Sequence, residues 1–406
     1  MSGVVSTKPG PGLEGLAELA RLTLDGTSDA VARILSLARA AFDMDVALLN
    51  RFDGEVVIEA VAGEHEWFAL ESAMRIPGDD TYCARMVRGE LPHLIRNAAH
   101  DDRTCDLPAT KAAGIGAYLG VPIRLWDGTV YGTLCCLSRS AEPSLNERDV
   151  CFLRVLAEIL ADQLDREQLE SEMRRLERSR IRSLLDGNEL GVEFQPMFDL
   201  ADCRIVSLEA LARFSREPLR SPSAWFAEAA EVGLGAELEL AAIEAALASL
   251  DDFPEDVALA INVSPATVLD PRFAELLLDV AERLVIEITE HAQVDDYDAL
   301  LFALAPLRER GARLAIDDVG AGFANLRHIL RLAPDIVKLD LSLIQEIARD
   351  PAREALAGSL VGFAEGVGAA IAAEGISSDE DLALLRALGV DYGQGFYLAR
   401  PSPLLH

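Results

Sequence analysis

Seven side chains able to hold or move charge stand at the ends of short apolar runs in the second half of the chain. Glu209 lies in LEALARF, Asn262 ends ALAIN, Glu287 ends LVIE, Asp317 and Asp318 end LAIDD, Lys338 sits in IVKLD and Glu374 ends AAIAAE. Taken singly, an acid after an apolar strand usually caps a helix or faces solvent. Taken together, five carboxylates and one carboxamide drawn to one rim repel each other unless cations sit among them. Hard oxygen donors with no Cys or His select Mg²⁺ or Mn²⁺ over zinc, and no cysteine follows Cys203. The adjacent Asp317 and Asp318 suggest two ions. Ions roughly 3.5–4 Å apart clamp a phosphodiester and bring the pKa of a bridging water towards neutrality. The chemistry expected of such a set is metal-assisted phosphodiester hydrolysis.

Lys338 is unusual in this chain. Only Lys8, Lys111 and Lys338 are lysines, against 34 arginines. Between Val337 and Leu339, a compact ammonium suits the orientation of a nucleophilic water or a phosphate oxygen, whereas arginine is bulkier and holds its proton. The structural alternative, an ion pair with Asp340 two residues along the same strand face, would be served equally well by arginine.

These residues must be brought together by their elements. Beyond Gly187 short apolar runs alternate with helical stretches: FQPMFDL, IVSLEALARF, ALAINVS, LVIEITE, LAIDDVG, DIVKLD, AAIAAEG and DYGQGFYLA. Eight strands in βα alternation point to a TIM-like barrel, in which catalytic residues sit at the C-terminal strand ends. Periodicity alone leaves an open doubly wound sheet in play, but no glycine-rich phosphate loop follows the first strand.

The first half is of another kind. Residues 1–12 read as a flexible tail, and 13–42 as two helical patterns, the second with Val31, Ile34, Leu35 and Ala38 at helical spacing. Residues 45–63 and 120–138 each read as a hairpin, around Asp53-Gly54 and Asp127-Gly128. Helices at both ends of an antiparallel sheet make an α+β domain over 13–150. Residues 151–187 form a linker helix, which is either one strand of a parallel coiled coil or a helix packed on its own domain and then solvated. The barrel occupies 188–406.

Composition bounds the rest. The 406 residues carry 37 basic and 68 acidic side chains, a formal net charge of −31, which argues against binding nucleic acid. Half the residues are hydrophobic, so the chain has material for real cores. The six cysteines, Cys83, Cys105, Cys135, Cys136, Cys151 and Cys203, follow no disulfide or zinc spacing. With no signal peptide and no bilayer-length apolar run, a cytoplasmic protein without membrane insertion is expected. Strand alternation sends Cys135 and Cys136 to opposite faces, so they are not expected to be a redox pair. Cys83, as a chromophore-attachment site, is less expected than Cys83 as a buried thiol. His65, His93 and His100 could serve a metal or haem, yet such isolated histidines are mostly loop residues.

The blocks LEALAR, INVS, IEITE, DDVGAGF, VKLD, AEG and QGFYLARP, in this order, resemble the EAL domain of cyclic-di-GMP phosphodiesterases. The resemblance implies a barrel whose first strand is antiparallel, two Mg²⁺ or Mn²⁺ ions, and hydrolysis of cyclic-di-GMP to linear pGpG by a cyclic-guanylate-specific phosphodiesterase. It implies that Glu209, Asn262, Glu287 and Asp317 hold one metal, that Asp317 and Asp318 hold the second, and that Glu374 completes the second site or assists proton transfer. Lys338 would position the attacking water, with Glu209, Lys338 and Glu374 the catalytic group. Gln195, Arg213 and Gln394 match substrate-contacting positions, and Glu290 matches a residue supporting the loop that begins at Asp317. Two departures stand out: Ser377 replaces a carboxylate, and VGAGFANL follows Asp318 where FGTGYSSL is typical. The first half, through GAYLGVPIRLWDGTVYGTLCCLS, resembles a GAF sensor domain of unknown ligand. The expectation is a homodimeric signalling enzyme. A cyclic-di-GMP receptor without turnover and a protein-interaction scaffold are the alternatives.

The acidity is unevenly spread. Residues 191–406 hold 16 basic and 37 acidic side chains, against 21 and 31 in residues 1–190. The half expected to bind an anionic dinucleotide is thus the more acidic one, so substrate binding should require metal.

Overall fold

The computed structural model describes residues 27–289, 294–320 and 326–403. The expected tail, the first helical pattern, Glu290 and the middle of the loop after Asp318 lie outside them. The chain divides into two compact units, Met1–Met173 and Arg174–His406. Among the described residues no helix is long and apolar enough to cross a membrane.

The first unit is built on strands β1 (Val46–Asp53), β2 (Glu55–Gly63), β3 (Arg75–Ile76), β4 (Leu94–Ile95), β5 (Ala117–Arg124) and β6 (Val130–Ser138). They form one sheet in the order β3-β2-β1-β6-β5-β4, and every pairing is antiparallel. Both expected hairpins form, and the left-handed backbone at Gly54 and Gly128 explains why glycine follows aspartate in each turn. The two-residue edge strands β3 and β4 were not anticipated, being too short to leave a periodic trace.

Each face of this sheet is buried. On one, Leu49, Leu119, Leu134 and Cys136 pack with Ile34, Leu35 and Ala38 of the helix Thr27–Phe42 and with Leu153, Leu156 and Leu160. On the other, Val46, Leu48, Tyr118, Cys135 and Leu137 pack under Phe68, Cys83 and Met86. Cys135 and Cys136 therefore belong to different cores, as strand alternation requires.

One helix spans Glu147–Leu185. Its early leucines enter the first unit's core, while Ile181 and Leu184 join a cluster around Trp225 in the second. Between them Leu169, Met173 and Leu176 are exposed.

The second unit closes β7 (Leu190–Asp199), β8 (Ile205–Phe214), β9 (Ala258–Asn262), β10 (Leu284–Thr289), β11 (Arg313–Val319), β12 (Ile336–Leu339), β13 (Ala370–Ala373) and β14 (Tyr392–Gly393) into a barrel. Strand β7 runs antiparallel to both neighbours, β8 and β14, and the remaining pairs are parallel. All eight expected strands are present, although the last one covers only two residues of DYGQGFYLA.

Alternation sorts the residues of these strands. Leu259, Ile261, Ile286, Ile288, Leu314, Ile316, Val337, Leu339 and Ile371 join the large core with the surrounding helices. The intervening Ala258, Ala260, Val285, Ala315, Ile336 and Ala372 form a separate small cluster with Met197, the filling of the barrel. Four alanines among the seven suit an interior that eight strands leave only wide enough for side chains to fill.

Candidate metal centre

The same alternation delivers the polar residues to one mouth. Two residues beyond Val285, Ala315, Ile336 and Ala372, towards the C-terminal end of each strand, stand Glu287, Asp317, Lys338 and Glu374. Glu209 is paired with Ala260 on β9, and Asn262 ends that strand beside Glu287.

Lys338 has no exposed surface. Its Nζ lies 2.7 Å from Glu287 Oε2, 2.7 Å from Glu374 Oε1, 3.3 Å from Asp317 Oδ1 and 3.6 Å from Glu209 Oε2. An ammonium has three hydrogens, so it cannot serve four carboxylates equally. Glu209, the most distant, is held by two amides instead: Asn262 Nδ2 donates to Oε1 and Gln394 Nε2 to Oε2, both at 2.8 Å. The expected alternative for Lys338 does not occur, since Asp340 caps the next helix by accepting from the Ser342 backbone N–H.

The electrostatics leave a surplus of negative charge. Burial opposes the Lys338 ammonium, but Asp317, Glu209, Glu287 and Glu374 outweigh it and hold its pKa well above the usual range. Burial pushes the Glu287 carboxyl well up; Lys338 pulls it down, while Glu209 and Asp317 push it further up. Glu374 is raised to about 8, first by burial, against the pull of Lys338 and with the repulsion of Asp317 and Glu209. Glu287 Oε1 is buried without a hydrogen-bond partner among the described residues. Leaving such an atom unmet is costly, and a divalent cation bound here would both meet it and cancel the surplus.

Two groups have oxygens close enough to share an ion: Glu209, Glu287 and Asp317, and then Asp317, Asp318 and Glu374. Asp318 joins through a local irregularity that the sequence pattern did not reveal. Strict alternation would turn Asp318 away from Asp317. Instead Asp318 adopts a left-handed backbone, φ 61°, where the β11–β12 register shifts between Ile316 and Val319. A bulge of this kind re-aims a side chain, and the Asp318 N–H donates to Asp317 Oδ1 at 2.9 Å. Hard oxygens, a shared aspartate and an excess of charge suit Mg²⁺ or Mn²⁺.

The other expected site residues fall around this cluster. Gln195 is buried and paired across the β7–β8 ladder with Glu209; its Nε2 donates to the Ala399 carbonyl at 3.1 Å. Gln394 serves Glu209 rather than standing apart, and glycine must follow it because a Cβ at Gly395 would strike the Ile376 backbone. Arg213 pairs with Glu193 at 2.8 Å and lines a cleft of about 670 Å³ shared with Asn262 and Thr289. Ser377 turns to Asp381, donating to Oδ2 at 3.0 Å. Glu239, which no motif marked, also lines the cleft and accepts from the Ser264 N–H and hydroxyl.

Of the histidines of the first unit, the His93 ring meets the Gly120 carbonyl, and His100 is exposed beside Asn97.

The EAL domain family model matches residues 178–401 and the GAF domain model residues 26–164. An uncharacterized signaling protein of Caulobacter vibrioides is 27% identical over 348 residues, covering 82% of this chain and 42% of that protein. The Pseudomonas aeruginosa cyclic di-GMP phosphodiesterase PA2567 is 30% identical over 220 residues, 51% of this chain and 38% of that one. The chain thus spans less than half the length of either relative. Among solved structures, the PaMucR phosphodiesterase in its c-di-GMP complex is 26% identical with a TM-score of 0.51, covering 56% of this chain and 98% of that one.

Proposed function

The chain belongs to the EAL domain family, and from that premise we propose that it hydrolyses cyclic-di-GMP to linear pGpG in a metal-dependent reaction. The observation that carries this reading is the buried Lys338 among four carboxylates, with the charge surplus and the unmet Glu287 Oε1 that two divalent cations would resolve.

Glu209, Asn262, Glu287 and Asp317 would hold one ion, and Asp317, Asp318 and Glu374 the other. Two Mg²⁺ or Mn²⁺ ions supply neutralisation of the phosphodiester and acidification of the attacking water. The protein's own part is positioning. Asn262 spends its amide N–H on Glu209, which leaves Oδ1 as its ligand atom. Gln394 fixes the other oxygen of Glu209. Lys338, immobilised by its carboxylates, presents a fixed positive charge to the water or to a phosphate oxygen. Arg213 would meet the dinucleotide from the cleft, Gln195 and Gln394 would contact it from beside Glu209, and Glu290 would support the loop that begins at Asp317.

We further propose that the GAF domain regulates this activity in a cytoplasmic homodimer, the exposed Leu169, Met173 and Leu176 meeting their copies in the partner. Sedimentation equilibrium showing only monomer at micromolar concentration would count against that arrangement.

The decisive assay incubates the purified chain with cyclic-di-GMP and Mg²⁺ or Mn²⁺ and looks for pGpG. Turnover that vanishes in Glu209→Ala, with the fold retained, is the expected result. Binding without turnover would make the chain a receptor, and neither would leave it a scaffold.

A further inference from the structure

The first unit holds a second chemical cluster, independent of the barrel. Beneath the helix Tyr82–Val87, the sheet borders an apolar cavity of about 380 Å³ lined by Leu48, Val56, Ile58, Phe68, Met74 and Tyr118. Cys83 and Cys135 also line it. Their sulfurs are 3.3 Å apart, although the residues are far apart in sequence and neither belongs to a spaced motif.

The pair is held and activated by polar neighbours. Asn50, only 3% exposed, aims Nδ2 at Cys83 Sγ (3.2 Å), Thr133 Oγ1 (3.3 Å) and Cys135 Sγ (3.4 Å). The Tyr118 hydroxyl donates to Cys83 Sγ at 3.9 Å. The Cys83 thiol is lowered to about 7, chiefly by the hydrogen bond from Cys135 and against burial, while Cys135 is raised. An attacking thiol works best when its pKa is near ambient pH. The neighbouring Cys136 on the other face shows the contrast, since burial alone raises it.

We propose that Cys83 and Cys135 form a reactive dithiol that takes an apolar organic hydroperoxide from this cavity and closes to a disulfide. The lining disfavours charged oxidants such as glutathione disulfide, and the volume falls within the range of small-molecule sites. The Cys83 thiolate attacks one peroxide oxygen, the O–O bond breaks, and the leaving alkoxide takes up a proton as an alcohol. The sulfenic acid on Cys83 is then attacked by the Cys135 sulfur; its hydroxyl leaves with the Cys135 proton as water, and the S–S bond forms. Two thiols and one hydroperoxide become one disulfide, one alcohol and one water. The sulfurs need only close from 3.3 Å to about 2.05 Å.

The test uses the reduced full-length chain treated with one equivalent of cumene hydroperoxide, then alkylated after unfolding and mapped by mass spectrometry. The expected product is a Cys83–Cys135 cross-linked peptide about 2 Da lighter than its two parts. It should form at least about tenfold faster than with hydrogen peroxide, because the cavity concentrates an apolar reagent. In Cys135→Ala the reaction should stop at a Cys83 sulfenic acid that dimedone traps; in Cys83→Ala, Cys135 should stay reduced. Oxidation confined to the exposed Cys151 and Cys203, with Cys83 and Cys135 both alkylated, would overturn the proposal in the wild-type chain whatever the variants do. Equal rates with the two peroxides would overturn the assignment of an apolar oxidant.

Discussion

Each half of the chain buries a polar cluster against β-strands, and the two clusters solve the cost of burial in opposite ways. In the barrel, four carboxylates crowd one ammonium, and among the described residues Glu287 Oε1 and Gln394 Oε1 are left unmet, so added positive charge would complete the cluster. In the first unit, Asn50, Thr133 and two thiols satisfy one another through shared hydrogen bonds, and the only charge the cluster carries is that of the Cys83 sulfur when it ionises; no Asp or Glu is buried among the described residues there. An unbalanced cluster recruits a ligand by electrostatics; a balanced one is changed by chemistry on its own atoms.

The largest effect should come from removing the single cation of the barrel cluster. Lys338→Met should lower pGpG formation by about three orders of magnitude, and Lys338→Arg should not rescue it, because a planar, bulkier head does not fit a fully buried ammonium site. Near-normal turnover in either variant would erase the contrast between the clusters.

Next is metal removal, read as stability. Glu374 is raised from 4.5 to about 8 in the folded chain, so the folded state binds protons that the unfolded state has released. In chelator, that contribution is fully present below pH 4.5 and is lost as pH rises towards about 8. The thermal midpoint should therefore fall across this window and flatten when Mn²⁺ is restored. A flat profile in chelator would mean the surplus is not felt.

A smaller effect sharpens the other side. Asn50→Ala removes the shared donor, the smallest of the influences that lower Cys83, so the thiol should move up slightly from about 7, slowing its alkylation by a small neutral reagent at pH 7 by about threefold or less. The rate against pH is the measurement. Smallest of all, Ser377→Ala loses only the hydroxyl bond to Asp381 and should cost about 1 kcal/mol or less, with turnover unchanged.

Much of the barrel was legible because its signals are local. Short apolar runs such as LAIDD and IVKLD announce a strand and where it ends, so Glu287, Asp317 and Lys338 could be assigned to one mouth, at the C-terminal strand ends of a barrel, before any contact was known. The hairpins were legible because Asp-Gly turns need a left-handed residue. What escaped depends on register or on distance. The bulge that brings Asp318 beside Asp317 breaks the very alternation used to read the strand. The amide of Gln394 reaches Glu209 across 185 residues, and Cys83 meets Cys135 across 52; neither pairing leaves a spacing that a sequence shows.

The scarcity of lysine has a practical consequence. A lysine-specific protease finds only three bonds to cut in the whole chain, those after Lys8, Lys111 and Lys338. Lys111 is 63% exposed, whereas the Lys338 side chain is 0% exposed. Cleavage after residue 338 can therefore proceed only from molecules whose barrel has opened, and the fragment it releases is a built-in clock for that opening.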